Sequence, residues 1–132
     1  MTYSGRVYVY RNLNTGTWSV RALSGENRGR VIAHPTTLML RDAAFHVSAK
    51  GRDRVRATGV RSVHAGVSGY ITRSCASESH DARRVTYNPY RHDSFVDVDT
   101  GVAVLTGDLV LFPKQPRNGS VPLMAWQCGR TE

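Results

Sequence analysis

The sequence predicts an α+β fold: a β-rich single domain of mostly antiparallel short strands with one basic surface helix. Three observations support this class. Valine, whose branched side chain favours strands, occurs 16 times, against eight leucines. Short segments alternate between apolar and polar residues, and turn-forming Gly, Asn and Asp separate them. A length of 132 residues is usual for one domain, so we expect a single domain over 1–132.

The first strands are predicted as a hairpin. Residues 7–13 and 17–23 alternate, and the second segment places Trp18, Val20 and Ala22 on one face. Between them, Asn-Thr-Gly at 14–16 tolerates the positive φ angles of a tight turn. Two further short strands are predicted at 31–33 and 37–40.

One helix is predicted over residues 49–58. Ser48 is a suitable N-cap and Gly59 a suitable residue just past the last turn. Its apolar positions are few, and cations occupy nearly every side, so the helix must lie on the surface. The cations are Lys50, Arg52, Arg54 and Arg56.

The second half of the chain predicts a meander of short strands. Over 63–71 the odd positions are apolar or small and the even positions are mainly polar. Later strands are predicted at 84–87, 95–98, 102–105, 109–112 and 121–128. Turns or loops are predicted between them at 74–82, 99–101, 106–108 and 113–119.

Charge is the strongest compositional clue to function. The chain has a formal net charge of +8, with 16 arginines among its 18 cations. Residues 1–61 carry ten Arg and one Lys against Glu26, Asp42 and Asp53, whereas residues 62–132 balance to zero. Such a field attracts polyanions or an acidic protein surface. The alternative is that arginine is abundant because the source genome is GC-rich and that its charge is spread over the surface.

Several function classes find no support. No apolar segment approaches a membrane span, and the first residues lack the pattern of a signal peptide. No glycine-rich phosphate cradle occurs, so we expect no cofactor. The five histidines have no metal-site spacing, and Cys75 and Cys128 lie far apart without a CxxC motif. We therefore expect no metal and reduced thiols.

Aromatic and cationic residues interleave in the first hairpin. Tyr8 and Tyr10 share a predicted strand face with Arg6, and Trp18 lies across the hairpin. Aromatic rings beside guanidinium groups can stack on bases and hold phosphates, although tyrosines on strands are also common in ordinary packing. The predicted binding residues are Arg6, Tyr8, Tyr10 and Arg11 of the hairpin and Lys50, Arg52, Arg54, Arg56 and Arg61 of the helix and its end.

An enzymatic alternative is a small metal-independent phosphodiesterase or ribonuclease. Such an enzyme needs a histidine base or acid beside a cation that stabilises the phosphate. The residues that could supply these groups are His46, His64, His92, Tyr87 and Arg91. His46 and His92 each begin a His-x-Ser pattern, which is a weak motif, and the sequence does not bring the histidines together. We expect a binding protein rather than an enzyme.

Several short motifs resemble a family of small uncharacterised proteins of tailed bacteriophages. They are Arg-Asn-Leu at 11–13, Trp-Ser-Val at 18–20, Val-His-Ala-Gly-Val at 63–67 and Tyr-Asn-Pro-Tyr at 87–90, within a resemblance that spans 6–112. The resemblance implies a phage origin and no mechanism.

Together these features predict a non-enzymatic phage accessory protein. We expect it to bind nucleic acid, or an acidic face of a host or defence protein that handles nucleic acid, and so to serve host take-over or to inhibit a defence system. It would act in the cytoplasm of the infected bacterium and would not contact the membrane. The sequence leaves its oligomeric state open.

Overall fold

The described part of the chain consists of one antiparallel sheet and one helix. The computed structural model describes residues 5–12, 17–60, 63–72, 83–114 and 123–127, the last of these by backbone alone. The elements are β1 (Arg6–Arg11), β2 (Trp18–Ala22), β3 (Val31–Ala33), β4 (Leu38–Val47), α1 (Ala49–Thr58), β5 (Ala65–Thr72), β6 (Arg83–Tyr87), β7 (Val96–Asp97), β8 (Thr106–Phe112) and β9 (Leu123–Gln127). The nine strands described follow the order β3-β2-β1-β5-β4-β8-β9-β6-β7, and each neighbouring pair is antiparallel. The predicted fold class is confirmed.

The sheet is strongly curved, so that distant strands share one core. The rings of Trp18 in β2 and Phe112 in β8 lie 4.9 Å apart between centroids, although the two strands are four places apart in the sheet. In a flat sheet that separation would be about 19 Å. The Trp18 indole also donates to the carbonyl of Pro113, at 2.9 Å. The side chains of the inner face therefore pack into one apolar core, which also includes Val9, Phe45 and other buried residues.

The helix follows the prediction at both ends. The Ser48 hydroxyl accepts from the Gly51 N–H at 3.2 Å, and Gly59, with φ 74°, donates its N–H to the Val55 carbonyl. Val55 is its one buried residue. Gly51 lets α1 approach the chain before β5, because a Cβ there would lie 2.5 Å from the His64 Cβ. This helix, the one found in the described residues, is too short and too polar to cross a membrane.

Strand β4 is much longer than predicted. The sequence predicts a strand over 37–40, whereas β4 extends to Val47. A bulge lies between Arg41 and Ala44, where Asp42 has a φ of 51°. The charged Arg-Asp step interrupts the apolar alternation, so the pattern ends early although the strand resumes beyond the bulge.

Two predictions between β7 and β8 are wrong. The predicted strand at 102–105 is absent, and only Ala103 forms an isolated bridge, to Val96. The predicted turn at 106–108 is the beginning of β8, where Thr106 pairs with Ala44 of β4. The continuation of β4 past its bulge provides backbone partners here, and this long-range pairing outweighs the local turn preference of Gly and Asp. The turn at 99–101 is confirmed.

Small shifts affect the other strands. The predicted strand at 63–71 begins at Ala65 and ends at Thr72. The hairpin of β1 and β2 and the strand β3 are confirmed, and β9 lies within its predicted range. Other predictions lie outside the described residues: the turn at 14–16, the loop at 74–82, the part of the last loop over 115–119, Cys75, Cys128 and Arg61.

Candidate nucleic-acid interface

The outer face of β1 carries one arginine and two tyrosines. Val7 and Val9 are fully buried in the core, and alternation along the strand places Arg6, Tyr8 and Tyr10 on the opposite face. Arg6 is exposed and both tyrosines are half-buried. The sequence-based prediction that these three residues share one face agrees with this arrangement.

Strand register adds three more residues of the same kinds. Arg21 of β2 lies directly opposite Tyr8, and Tyr70 of β5 lies directly opposite Arg6. Arg41 of β4 lies opposite Tyr70 on its other side. Residues paired in this way point to the same side of a sheet. The set of six is called the Tyr–Arg face below: Arg6, Tyr8, Tyr10, Arg21, Arg41 and Tyr70.

Guanidinium groups lie over the phenol rings of this face. The Arg21 guanidinium carbon is 5.8 Å from the Tyr8 ring centroid and 5.5 Å from that of Tyr10. The Arg41 guanidinium carbon is 4.7 Å from the Tyr70 centroid. These contacts are cation–π interactions, which hold the long arginine side chains near the sheet. The result is a row of flat cationic and aromatic groups across four adjacent strands.

Gly66 fixes the position of the Tyr8 ring. A Cβ on Gly66 would lie 2.5 Å from the Tyr8 Cζ and 2.7 Å from its Oη. The phenol therefore lies directly over the backbone of β5, and only glycine leaves room for it. Burial raises the pKa of Tyr8, and the nearby Arg21 charge opposes this shift.

A histidine, a serine and an arginine are linked beside this ring. His46 Nε2 lies 2.8 Å from Ser68 Oγ, and Arg6 Nη2 donates to the same oxygen at 2.9 Å. Ser68 is buried, whereas His46 is exposed and its ring centroid is 6.0 Å from that of Tyr8. Partial desolvation, and then the Arg6 charge, lower the pKa of His46. Neutral imidazole is thus favoured at neutral pH.

Carboxylates neutralise little of the positive charge on the Tyr–Arg face. Arg41 forms an exposed ion pair with Asp42, at 2.7 Å. In the described residues, no carboxylate forms an ion pair with Arg6 or Arg21. Exposed ion pairs contribute about 0–1 kcal/mol, so Arg41 can exchange its partner for a phosphate at small cost.

Two of the helix arginines predicted to bind a partner, Arg52 and Arg56, contact the segment after β6. Arg56 donates to the carbonyls of Pro89 and His92 and to the Asp93 carboxylate, and Arg52 donates to the Asp93 carbonyl at 3.0 Å. These bonds tie α1 to the segment after β6. These two guanidinium groups thus have partners within the chain, and the role of the helix in binding a partner stays a prediction.

Other predicted binding residues have mixed positions. Lys50 and Arg54 are exposed on α1. Arg11 has 5% exposure, because its odd position in β1 places it on the inner side with Val9, so it is not part of the exposed face. Trp18 is fully buried for the same reason of alternation and cannot stack on a base.

The residues of the enzymatic alternative make different contacts. His64 and Tyr87 are in contact, with Nε2 2.7 Å from Oη, and burial raises the pKa of Tyr87 to about 12. His92 Nδ1 accepts the Asn88 N–H at 3.0 Å, which gives this ring a structural bond. His46 instead contacts Ser68 and Tyr8 on the outer face. Arg91 is exposed. No group of three potential metal ligands occurs among the residues described.

Four residues of the outer face were not among the predicted binding residues. Arg21 could have been found, because the inward positions of Trp18, Val20 and Ala22 require it to point outward. Tyr70 was assigned to a polar strand face, but its neighbours were unknown. Ser68 lies on the same predicted polar strand face, whereas Arg41 had no sequence signal of its own, since its role depends on strand order.

Comparison with known proteins gives a phage relationship. A family model described as the Mycobacterium phage L5 gene 82 protein matches residues 1–119. The Gene 82 protein of Mycobacterium phage L5 is 36% identical over 111 residues, which cover 80% of this chain and 87% of that protein. No solved structure matches. The family match extends beyond the 6–112 span of the motif resemblance.

Proposed function

The chain belongs to the family of the Mycobacterium phage L5 gene 82 protein, and we propose that it is a phage accessory protein that binds single-stranded nucleic acid through the Tyr–Arg face. It would do so in the cytoplasm of the infected bacterium, where such binding would serve host take-over or act against a defence system.

The composition of the face is the observation that carries this proposal. Three guanidinium groups and three phenol rings lie on one side of four adjacent strands. Guanidinium groups bind phosphates with paired hydrogen bonds, and aromatic rings and guanidinium planes stack on bases. Both kinds of contact are needed along a nucleic-acid strand, so their alternation across one surface suits such a ligand.

A single strand fits this surface better than a duplex. In a duplex the bases stack on one another and expose only their edges, so a ring on the sheet surface has no base plane to contact. The bases of a single strand can be splayed onto aromatic side chains. The half-buried rings of Tyr8 and Tyr10 are held in place and lose little freedom on binding.

Electrostatics supports the same ligand. The net charge of +8 attracts a polyanion from a distance. Two of the three carboxylates in residues 1–61 pair with neighbouring arginines, Asp42 with Arg41 and Asp53 with Arg52. Arg6 and Arg21 have no such local ion pair in the described structure, and they contribute the uncompensated charge of the face.

The test is fluorescence anisotropy with a labelled single-stranded 20-mer of DNA or RNA and with a duplex of the same sequence. We expect the single strands to bind more tightly. The double variant Arg6→Gln/Arg21→Gln should weaken binding about 20-fold at 0.1 M salt, from two lost phosphate contacts. The matched control, Arg28→Gln/Arg30→Gln, removes equal charge from the exposed loop between β2 and β3 and should bind like the original protein.

Two outcomes would refute the proposal. Equal losses in both double variants would mean that net charge, and not this face, determines binding. Absence of binding to every nucleic acid would exclude nucleic acid as the partner. Capture of an acidic host protein that survives nuclease treatment would then support the protein-binding alternative predicted from the sequence.

A further inference from the structure

The outer face also brings together three groups with acid–base and phosphate chemistry. His46 Nε2 and Arg6 Nη2 lie 2.8 and 2.9 Å from the same Ser68 oxygen, so the two nitrogens are within about 6 Å of each other. One phosphate group can contact both. The Tyr8 ring lies beside them, 6.0 Å from the imidazole between centroids, and its hydroxyl lies over Gly66, which is the strand partner of His46.

Ser68 orients the imidazole. In the tautomer that carries its proton on Nε2, His46 donates to Ser68 Oγ, and the lone pair of Nδ1 is available to a ligand. No hydrogen bond to Nδ1 occurs among the described residues, and the His46 side chain is exposed. This arrangement, a base whose second nitrogen is held by a positioning group, recurs in nucleophilic and acid–base catalysis.

The protonation states of the two rings suit opposite roles. The pKa of His46 is lowered by desolvation and by Arg6, so the imidazole is neutral and can accept a proton at neutral pH. The pKa of Tyr8 is raised by burial, so its phenol keeps the proton that it could donate. When the surroundings move the pKa values of two groups apart in this way, one group can act as a base and the other as an acid.

We propose that this trio cleaves RNA, with His46 as the general base, Tyr8 as the general acid and Arg6 as the cation that stabilises the phosphorane. His46 removes the proton from a ribose 2′-hydroxyl, and the 2′-oxygen forms a bond to phosphorus. The bond from phosphorus to the 5′-oxygen breaks, and Tyr8 gives its proton to that leaving oxygen. The products are a 2′,3′-cyclic phosphate and a 5′-hydroxyl end. The step needs no metal and no further reactant.

The substrate class follows from this chemistry. The nucleophile is the 2′-hydroxyl, so RNA is cut and DNA is bound without reaction. The inference rests on the proposed function, because the strand must first lie on the Tyr–Arg face. It goes beyond that function by adding a reaction, and it assigns the catalytic roles to groups other than His64, His92 and Tyr87.

The test separates cleavage from binding. A 5′-labelled RNA 12-mer is incubated with the protein in chelator and analysed on a gel, and the product ends are identified by mass. The 2′-O-methyl form of the same RNA, which lacks the nucleophile, reports binding by anisotropy. We expect cyclic phosphate ends from the first and binding without cleavage of the second. His46→Gln and Tyr8→Phe should each lower the cleavage rate about 100-fold or more.

A matched histidine variant controls for contaminating nuclease. His34 lies near Ser19, with Nδ1 3.5 Å from its hydroxyl, and is outside the trio. His34→Gln, purified in the same way, should cleave at the original rate. Cleavage that His46→Gln leaves unchanged would overturn the proposal. Binding of the 2′-O-methyl RNA with no cleavage of RNA would also overturn it while leaving the proposed binding function intact, whereas failure to bind either form would overturn both.

Discussion

Substitution of Arg21 by glutamine should change the salt dependence of nucleic-acid binding in a predictable way. Arg21 lies over Tyr8 and Tyr10 and has no ion pair with a described carboxylate, so its charge is available to a phosphate. Glutamine keeps a polar, shorter side chain and removes the charge. The stability cost is about 1 kcal/mol, from the lost contacts with the two rings.

The expected magnitude follows from the number of arginines on the face. Each phosphate that a cation neutralises on a single strand contributes about −0.7 to the slope of log K against log salt concentration. Three contacts, by Arg6, Arg21 and Arg41, give a slope of about −2, so a rise from about 0.05 to about 0.2 M salt weakens binding about 20-fold. With two contacts left in Arg21→Gln, the slope is about −1.4, and the same rise in salt weakens binding about sevenfold.

The assay is anisotropy with a labelled single-stranded oligonucleotide over a series of salt concentrations. Arg30→Gln is the control, because it removes the same charge from the exposed loop between β2 and β3. We expect its slope to equal that of the original protein. Equal reduction of the slope by Arg21→Gln and Arg30→Gln, or no reduction by Arg21→Gln, would refute the reasoning.

Three other predictions test the fold and the site. Gly66→Ala should lower the free energy of unfolding in urea by about 1–3 kcal/mol, because the added methyl group overpacks the site. Gly101→Ala should lower it by about 1–2 kcal/mol, because the φ of this residue is positive. Only Gly66→Ala should also weaken nucleic-acid binding, because it displaces a tyrosine ring of the face. Arg56→Glu should lower the free energy of unfolding by about 1–2 kcal/mol by breaking its bonds to the segment after β6, whereas the exposed Arg54→Glu should change it by less than about 0.5 kcal/mol; equal effects would contradict the structural role. Burial raises the pKa of Tyr87 from 10.0 to about 12, so the stability that the protonated phenol contributes is complete below pH 10 and is lost as the pH rises to about 12. In urea unfolding over this pH range, the free energy of unfolding should fall less for Tyr87→Phe than for the original protein.

Local signals were sufficient for much of the fold. The hairpin of β1 and β2 follows from alternation and a turn between the strands, and the bounds of α1 follow from Ser48 and Gly59. The second half of β4 and the beginning of β8 could not be predicted. Their backbone partners lie some 60 residues apart in sequence, and that pairing sustains a strand across the Asp42 bulge.

The candidate site was predictable only in part, for a related reason. Alternation within β1 is a local property, so Arg6, Tyr8 and Tyr10 were found together. Arg41 and Tyr70 join them only because β5 inserts between β1 and β4 in the sheet. The attachment of α1 to Asp93 likewise joins residues about 40 apart, which the sequence pattern of a basic helix does not show.

The most direct measurement is photocrosslinking of a halogenated single-stranded oligonucleotide to the protein, with the attached residues identified by mass spectrometry. The crosslinks should fall on the tyrosines of the outer sheet face, Tyr8, Tyr10 and Tyr70. Crosslinks confined to α1 and the segment after β6, or none above the level of a protein without nucleic-acid affinity, would contradict the account.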